Sequence, residues 1–217
     1  MNLKINTALW AARWLGTKEG SQEHRKILEV YNSIDPLPRG YAVKQTDPWC
    51  AAFASAASVM AGAGVRYPLE CSCSRMIERA KSMGIWLEDD SHVPQIGDWV
   101  LYNWQAQSGG DDTGDPDHVG IVIGLEDGQI LAVEGNYDNG VKLRRCPVNW
   151  EKIRGFICPK GDEQMRYHTL EEIPAYARAT IEKLVKDESL RGIVEDDLGL
   201  TEDLIRTLVI LDRHGIF

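Results

Sequence analysis

His118-Val119-Gly120-Ile121-Val122-Ile123, turned at Asp127-Gly128 and answered by Gln129-Ile130-Leu131-Ala132-Val133-Glu134-Gly135-Asn136, is the stretch that decides the fold. Asp-Gly between two apolar, β-branched runs is a strong hairpin signal. So short a turn leaves no room for a crossover helix, so the two strands run antiparallel. Pairing across it joins residues whose numbers sum to about 252–255, which sets His118 opposite Glu134 to Asn136. A carboxylate or amide beside an imidazole fixes its tautomer and orientation.

Outward from this hairpin the strand pattern continues. Asp138-Asn139-Gly140 is a second turn, Val141 to Arg145 a further strand, and Ile153 to Ile157 the last. Upstream, Gly97-Asp98 leads into the strand Trp99 to Tyr102, and residues 105–117 form a polar, glycine-rich loop. Before residue 85 the period is helical. Leu9, Ala12 and Leu15 mark a helix over residues 5–16. A second spans Ser21 to Ser33 with Ser21 as its cap, and a fourth spans Ser74 to Met83 and stops at Gly84. Between them, Asp47-Pro48-Trp49-Cys50-Ala51-Ala52-Phe53-Ala54-Ser55-Ala56 reads as a turn feeding a buried helix that closes around Gly62 to Gly64. Helices first and antiparallel strands second define an α+β order.

The composition sets outer limits. The 217 residues suffice for one domain with a small appendage, and 43% hydrophobic with 26% charged residues is an ordinary soluble balance. A formal charge of −9 without a basic cluster argues against a nucleic-acid footprint and against docking to anionic lipid. No run of apolar residues is long enough to span a membrane. Lys4, Asn6 and Arg13 interrupt the apolar opening, so it reads as an amphipathic helix rather than a signal peptide. The five cysteines (Cys50, Cys71, Cys73, Cys146 and Cys158) include no Cys-x-x-Cys pair, which argues against a zinc ribbon and for reduced thiols after cytoplasmic synthesis.

Cys50 falls at the first turn of its helix, where the helix dipole and unpaired N–H groups favour a thiolate. The alternative is a buried cysteine that packs as a small hydrophobe. His118 stands where a glycine-rich loop enters a strand, a place for a general base or for a strand-capping polar residue. Glu134 reads as its orienting partner or as a surface carboxylate, and Asn136 as an amide beside the ring or as a turn former. Gln45, five residues before Cys50, is a candidate oxyanion donor, against a glutamine of a surface loop. Trp49 and Trp104 flank the motif loops and are candidates for a sugar or peptide groove, against core packing.

In order along the chain, Asp47-Pro48-Trp49-Cys50-Ala51-Ala52-Phe53, Gly97-Asp98-Trp99-Val100, Asp117-His118-Val119-Gly120-Ile121-Val122 and Glu134-Gly135-Asn136 resemble the CHAP family, the cysteine, histidine-dependent amidohydrolases/peptidases. The resemblance covers about residues 5–158. It implies a papain-like fold with N-terminal helices packed on an antiparallel sheet, and a catalytic domain over residues 1–160. It implies a peptidoglycan hydrolase (amidase or endopeptidase) working by acyl transfer. Cys50 then matches the nucleophile, His118 the general base, Glu134 its orienting residue and Asn136 the fourth polar residue. Glu70 to Cys73 and Trp86 to Asp90 resemble runs in phage or prophage lysins, which implies action at the cell wall after release. No cofactor is implied. Residues 35–49 hold only Asp35 and Asp47, too few carboxylates for a calcium cage, and the aspartates Asp111, Asp112, Asp115 and Asp117 lack an EF-hand rhythm, so no metal is expected. Two other readings stay open: a wall-binding module with a degenerate site, and a transglutaminase-like acyltransferase.

From Asp162 onward thirteen acidic residues face seven basic ones, making this the more acidic part of the chain. Helices are expected over Glu171 to Asp187 and Thr201 to Arg213, forming residues 161–217 into a small helical module, wall-associated or dimerising.

Overall fold

Four helices lead the chain in the computed structural model, which describes residues 2–106, 114–160, 166–187, 189–190, 198–213 and 215. Three of them are capped by a side chain. Asn2 accepts from the amides of Lys4 and Ile5 to open α1 (Leu3–Arg13), Ser21 accepts from His24 to open α2 (Gln22–Asn32), and Ser72 accepts from Arg75 to open α4 (Cys73–Ser82). Helix α3 (Cys50–Met60) starts after Trp49 and has no side-chain cap. The real α1 begins two residues before its apolar pattern because Asn2, not the first apolar residue, sets the start.

A six-stranded antiparallel sheet follows. Its strands are β1 (Trp86–Leu87), β2 (Trp99–Tyr102), β3 (His118–Glu126), β4 (Gln129–Glu134), β5 (Lys142–Pro147) and β6 (Ile153–Ile157), in spatial order β1-β6-β2-β3-β4-β5. The β3–β4 hairpin pairs Glu126 with Gln129 and Gly124 with Leu131; the register then slips, and Val122 faces Ala132 and Ile121 faces Val133. An extra residue on β3 at this slip is a bulge.

Alternation along β3 and β4 divides the packing. Val119, Ile121 and Val133 join the helices in one core with Ala8, Ala11, Phe53 and Ala57. Tyr102, Val122, Ile130, Ala132 and Phe156 form a second core, flanked by half-buried Trp104, Val148 and Trp150. Both faces are covered, so β2 is buried at every residue and reads as a continuous apolar run. The alanines of α3 let its backbone come close to the sheet. Lys4, one of the polar residues that interrupt the N-terminal apolar run, is itself buried: its Nζ lies 2.7 Å from Asp98 Oδ1 and ties α1 to the turn before β2.

The chain divides into two compact units, Met1–Gly161 and Asp162–Phe217. In the second, β7 (Arg166–Tyr167) pairs with β8 (Leu200–Thr201), and α5 (Arg178–Lys186) and α6 (Glu202–Arg213) enclose Ile173, Ala177, Ile181, Leu200, Ile205 and Val209. Helix α5 begins seven residues later than its apolar pattern suggests. Proline lacks an N–H for the helix ladder, and the Pro174 carbonyl instead closes a turn by accepting from Ala177 and Arg178. The short β7–β8 pair carries no alternating pattern and was not expected. Among the described residues no helix is long and apolar enough to cross a membrane. The expected loop positions Asp111 and Asp112 lie outside the described residues.

Candidate active site

Cys50 is the first residue of α3, and the residue at the cap position, Trp49, makes no side-chain capping hydrogen bond. The sulfur lies 3.9 Å from the sulfur of Cys73, and His118 and the Ala51 amide are near enough to favour its thiolate. The Cys73 contact, then His118 and the Ala51 amide, outweigh burial and hold the Cys50 thiol well below its ordinary range. The same proximity, with burial, pushes Cys73 well above, so Cys73 keeps its proton. The pair is therefore one thiolate and one thiol.

His118 opens β3 directly opposite Tyr102 of β2. Its ring stacks on Tyr102 at 6.2 Å and lies 5.9 Å from Trp104. Nε2 is 3.1 Å from Glu134 Oε2, close enough for charge pairing although off hydrogen-bond alignment. Glu134 reaches it across Gly120, where a Cβ would stand only 2.9 Å from Glu134 Cγ. Burial opposes the charged ring, but Cys50 and Glu134 overcome it and raise His118 to about 9. With Nε2 given to Glu134, Nδ1 is the ring nitrogen left for Cys50. A thiolate–imidazolium pair backed by a carboxylate is a nucleophile and a general acid/base in one unit.

Glu134 is fully buried and its second oxygen is also occupied: Oε1 accepts from Arg144 Nε at 2.6 Å. Arg144 is held by rings, its guanidinium carbon 4.2 Å from the Tyr137 centroid and 4.9 Å from that of Trp104. The sequence reading did not single out Arg144. Its signal was the second hairpin, in which Arg144 pairs with Ala132 and so sits diagonal to Glu134.

The remaining predicted residues divide. Trp104 is half-buried beside His118, placed there by Asp117, whose carboxylate accepts from the Trp104 amide at 2.7 Å. Trp49 is different: it is 0% exposed, packs its ring on His24 at 4.5 Å, and donates from Nε1 to Glu19. It braces the start of α3 from inside the core and offers no face to a ligand, which corrects the groove expectation. Asn136 sits in the turn after β4 with φ +59, the left-handed conformation of a turn former, and no hydrogen bond joins it to His118 among the described residues. Gln45 is exposed and lines a surface cavity of about 480 Å³ with Arg25, Leu28, Glu29, Asn32 and Val43.

Among the described residues one group has metal-ligand chemistry: His92, Asp98 and Cys158, with ligand atoms within 4.8 Å of one another. The Asp98 carboxylate is already paired with the Lys4 ammonium and accepts from the Gln95 amide, so the set does not fit a cation.

Helices preceding an antiparallel sheet, with a cysteine at a helix start against a histidine on the sheet, place the chain among papain-like α+β proteins. Residues 41–136 match the family model of the CHAP domain. Arg144 lies beyond the matched segment. Among solved structures, the chain is similar to the crystal structure of Ly7917 (TM-score 0.40, 19% identity, 71% of this chain and 62% of that one). It is also similar to that of Ly7917 with the hydrolyzing product of MDP (TM-score 0.41, 19% identity, 76% and 66%). The chain thus spans just under two thirds of the length of Ly7917. No curated protein matches.

Proposed function

We propose that this protein hydrolyses an amide or peptide bond of bacterial peptidoglycan through a Cys50 acyl-enzyme. The observation that carries the reading is the chain of contacts Cys50–His118–Glu134 at an uncapped helix start, within the segment that matches the CHAP domain. The thiolate attacks the carbonyl carbon, and the backbone N–H of Cys50 donates to the developing oxyanion. Imidazolium His118 then protonates the departing amine, leaving a thioester on Cys50. Neutral His118 next removes a proton from water, which attacks the thioester and frees the acid. Glu134 keeps the ring oriented and its charge compensated through both steps, and Trp104 flanks the ring. Peptidoglycan as substrate puts the site of action at the cell wall.

The bond is either the lactyl amide between glycan and stem peptide or a peptide bond of the stem or cross-bridge. Purified walls incubated with the protein should lose turbidity, and Cys50→Ala should not clear them. Clearing that persists in Cys50→Ala would sink the thiol mechanism. Mass spectrometry of the fragments separates the bonds: free stem peptides mark an amidase, and newly exposed amino-acid amines within the stem or bridge mark an endopeptidase. A protein that binds walls yet releases no amine would instead be a binding module, and one that joins added amines to peptide would be an acyltransferase.

A further inference from the structure

Five thiols are present, and four can be compared by their surroundings. Burial pushes Cys146 up to about 11 and Cys158 up to about 12, which leaves both inert at neutral pH. Cys71 is held by Arg39, whose Nη2 donates to its sulfur at 2.9 Å. Cys73 differs from all three because it faces another thiol, the Cys50 sulfur, at 3.9 Å in a buried contact. A disulfide needs about 2.05 Å between sulfurs, so the two must close by roughly 2 Å. Both residues open a helix, α3 and α4, where a side chain has no preceding helical turn to clash with. The two helix N-termini also converge on the sulfurs, which favours the thiolate that exchange requires.

We propose that Cys73 is a resolving thiol for Cys50, and that a hydroperoxide converts the pair into a reversible intrachain disulfide that switches the nucleophile off. The Cys50 thiolate attacks one oxygen of the hydroperoxide; an S–O bond forms, the O–O bond breaks, and the sulfur is oxidised by two electrons while hydroxide or alkoxide leaves. Cys73 then attacks the sulfenic sulfur. The S–S bond forms, hydroxide departs, and it takes the Cys73 proton to become water. An external dithiol returns both thiols and is itself oxidised. Without Cys73, the sulfenic acid has no near thiol and proceeds to sulfinic and sulfonic acid.

The loss of activity in this scheme rests on the proposed role of Cys50, but the thiol chemistry is read by mass. The full-length reduced protein is treated with a few equivalents of hydrogen peroxide, quenched with an alkylating agent, and analysed intact and by peptide mapping. The expected product is lighter by two hydrogens, has two fewer alkylated thiols, and links the peptides that carry Cys50 and Cys73. Dithiothreitol should restore both mass and wall clearing. In Cys73→Ala and Cys73→Ser, each checked for folding by circular dichroism, Cys50 should gain two or three oxygens and dithiothreitol should restore nothing. Wild type that gains oxygens at Cys50 instead of forming the link, or links Cys73 to Cys71, overturns the proposal whether or not the variants fold. If reduced wild type forms the link yet never clears walls, the hydrolase reading fails and the disulfide stands.

Discussion

Glu134 spends one oxygen on His118 and the other on Arg144, and its substitution tests both. With His118 held at about 9, the thiolate–imidazolium pair persists through neutral pH, and the rate should fall as pH rises through about 9 and the general acid is lost. Glu134→Gln removes the negative charge that favours the imidazolium, so this basic limb should move to lower pH by about one unit or more. Wall clearing against pH, or the pH dependence of Cys50 alkylation, measures it; a uniform loss of rate with an unmoved limb would mean that Glu134 only supports the fold. Arg144→Met leaves Oε1 of a fully buried carboxylate without its partner and should destabilise the protein by about 3 kcal/mol in urea unfolding. Adding Glu134→Gln should recover part of that loss, because no charge is then left unpaired. Cys50, His118 and Glu134 could be found from sequence because a helix start and a two-residue turn are local signals. Arg144 and Cys73 could not, since one acts across a diagonal between strands and the other across two helix starts far apart in the chain. Trp49 misled because adjacency to Cys50 in sequence says nothing about direction: at the cap position its side chain turns into the core.

At the level of elements, the hairpin does the positioning, and its glycines carry the requirement. Gly120 leaves the space over which Glu134 crosses to His118; the Cβ of an alanine would stand 2.9 Å from Glu134 Cγ and 3.1 Å from Ala132 Cβ. Gly120→Ala should therefore displace Glu134 and lower the basic limb of the pH profile in the same direction as Glu134→Gln. Gly135 works differently. An alanine Cβ there would lie 2.5 Å from Phe53 Cβ, so Gly135→Ala drives the end of β4 into α3 and should cost about 1–3 kcal/mol in unfolding experiments. Strands β2 to β6 were legible because apolar runs and turn residues are local, whereas β1, β7 and β8, two residues each, are too short to carry a pattern. The spatial order was not: β6 lies between β1 and β2, a pairing set by long-range burial. The hairpin arithmetic was right to within the bulge after Val122, since nothing in a one-residue slip changes which residues are apolar.

For the whole molecule, the decisive fact is that each compact unit closes its own core. All the residues of the proposed reaction, and the two apolar clusters on either face of the sheet, fall within Met1–Gly161. The second unit buries Ile173, Ala177, Ile181, Leu200, Ile205 and Val209 among its own elements. A unit that buries its own apolar surface can fold alone. A protein of residues 1–161 should thus melt in one cooperative transition, react with a thiol reagent at Cys50 as fast as the full chain, and, under the proposed function, cleave soluble peptidoglycan fragments at the same rate. Its clearing of intact walls compared with that of the full chain then isolates what the acidic unit adds. Equal clearing would assign the unit no part in wall engagement, and slower clearing at an unchanged soluble rate would assign it binding. A non-cooperative melt, or a Cys50 that has lost its fast alkylation, would show instead that the second unit is needed to form the site.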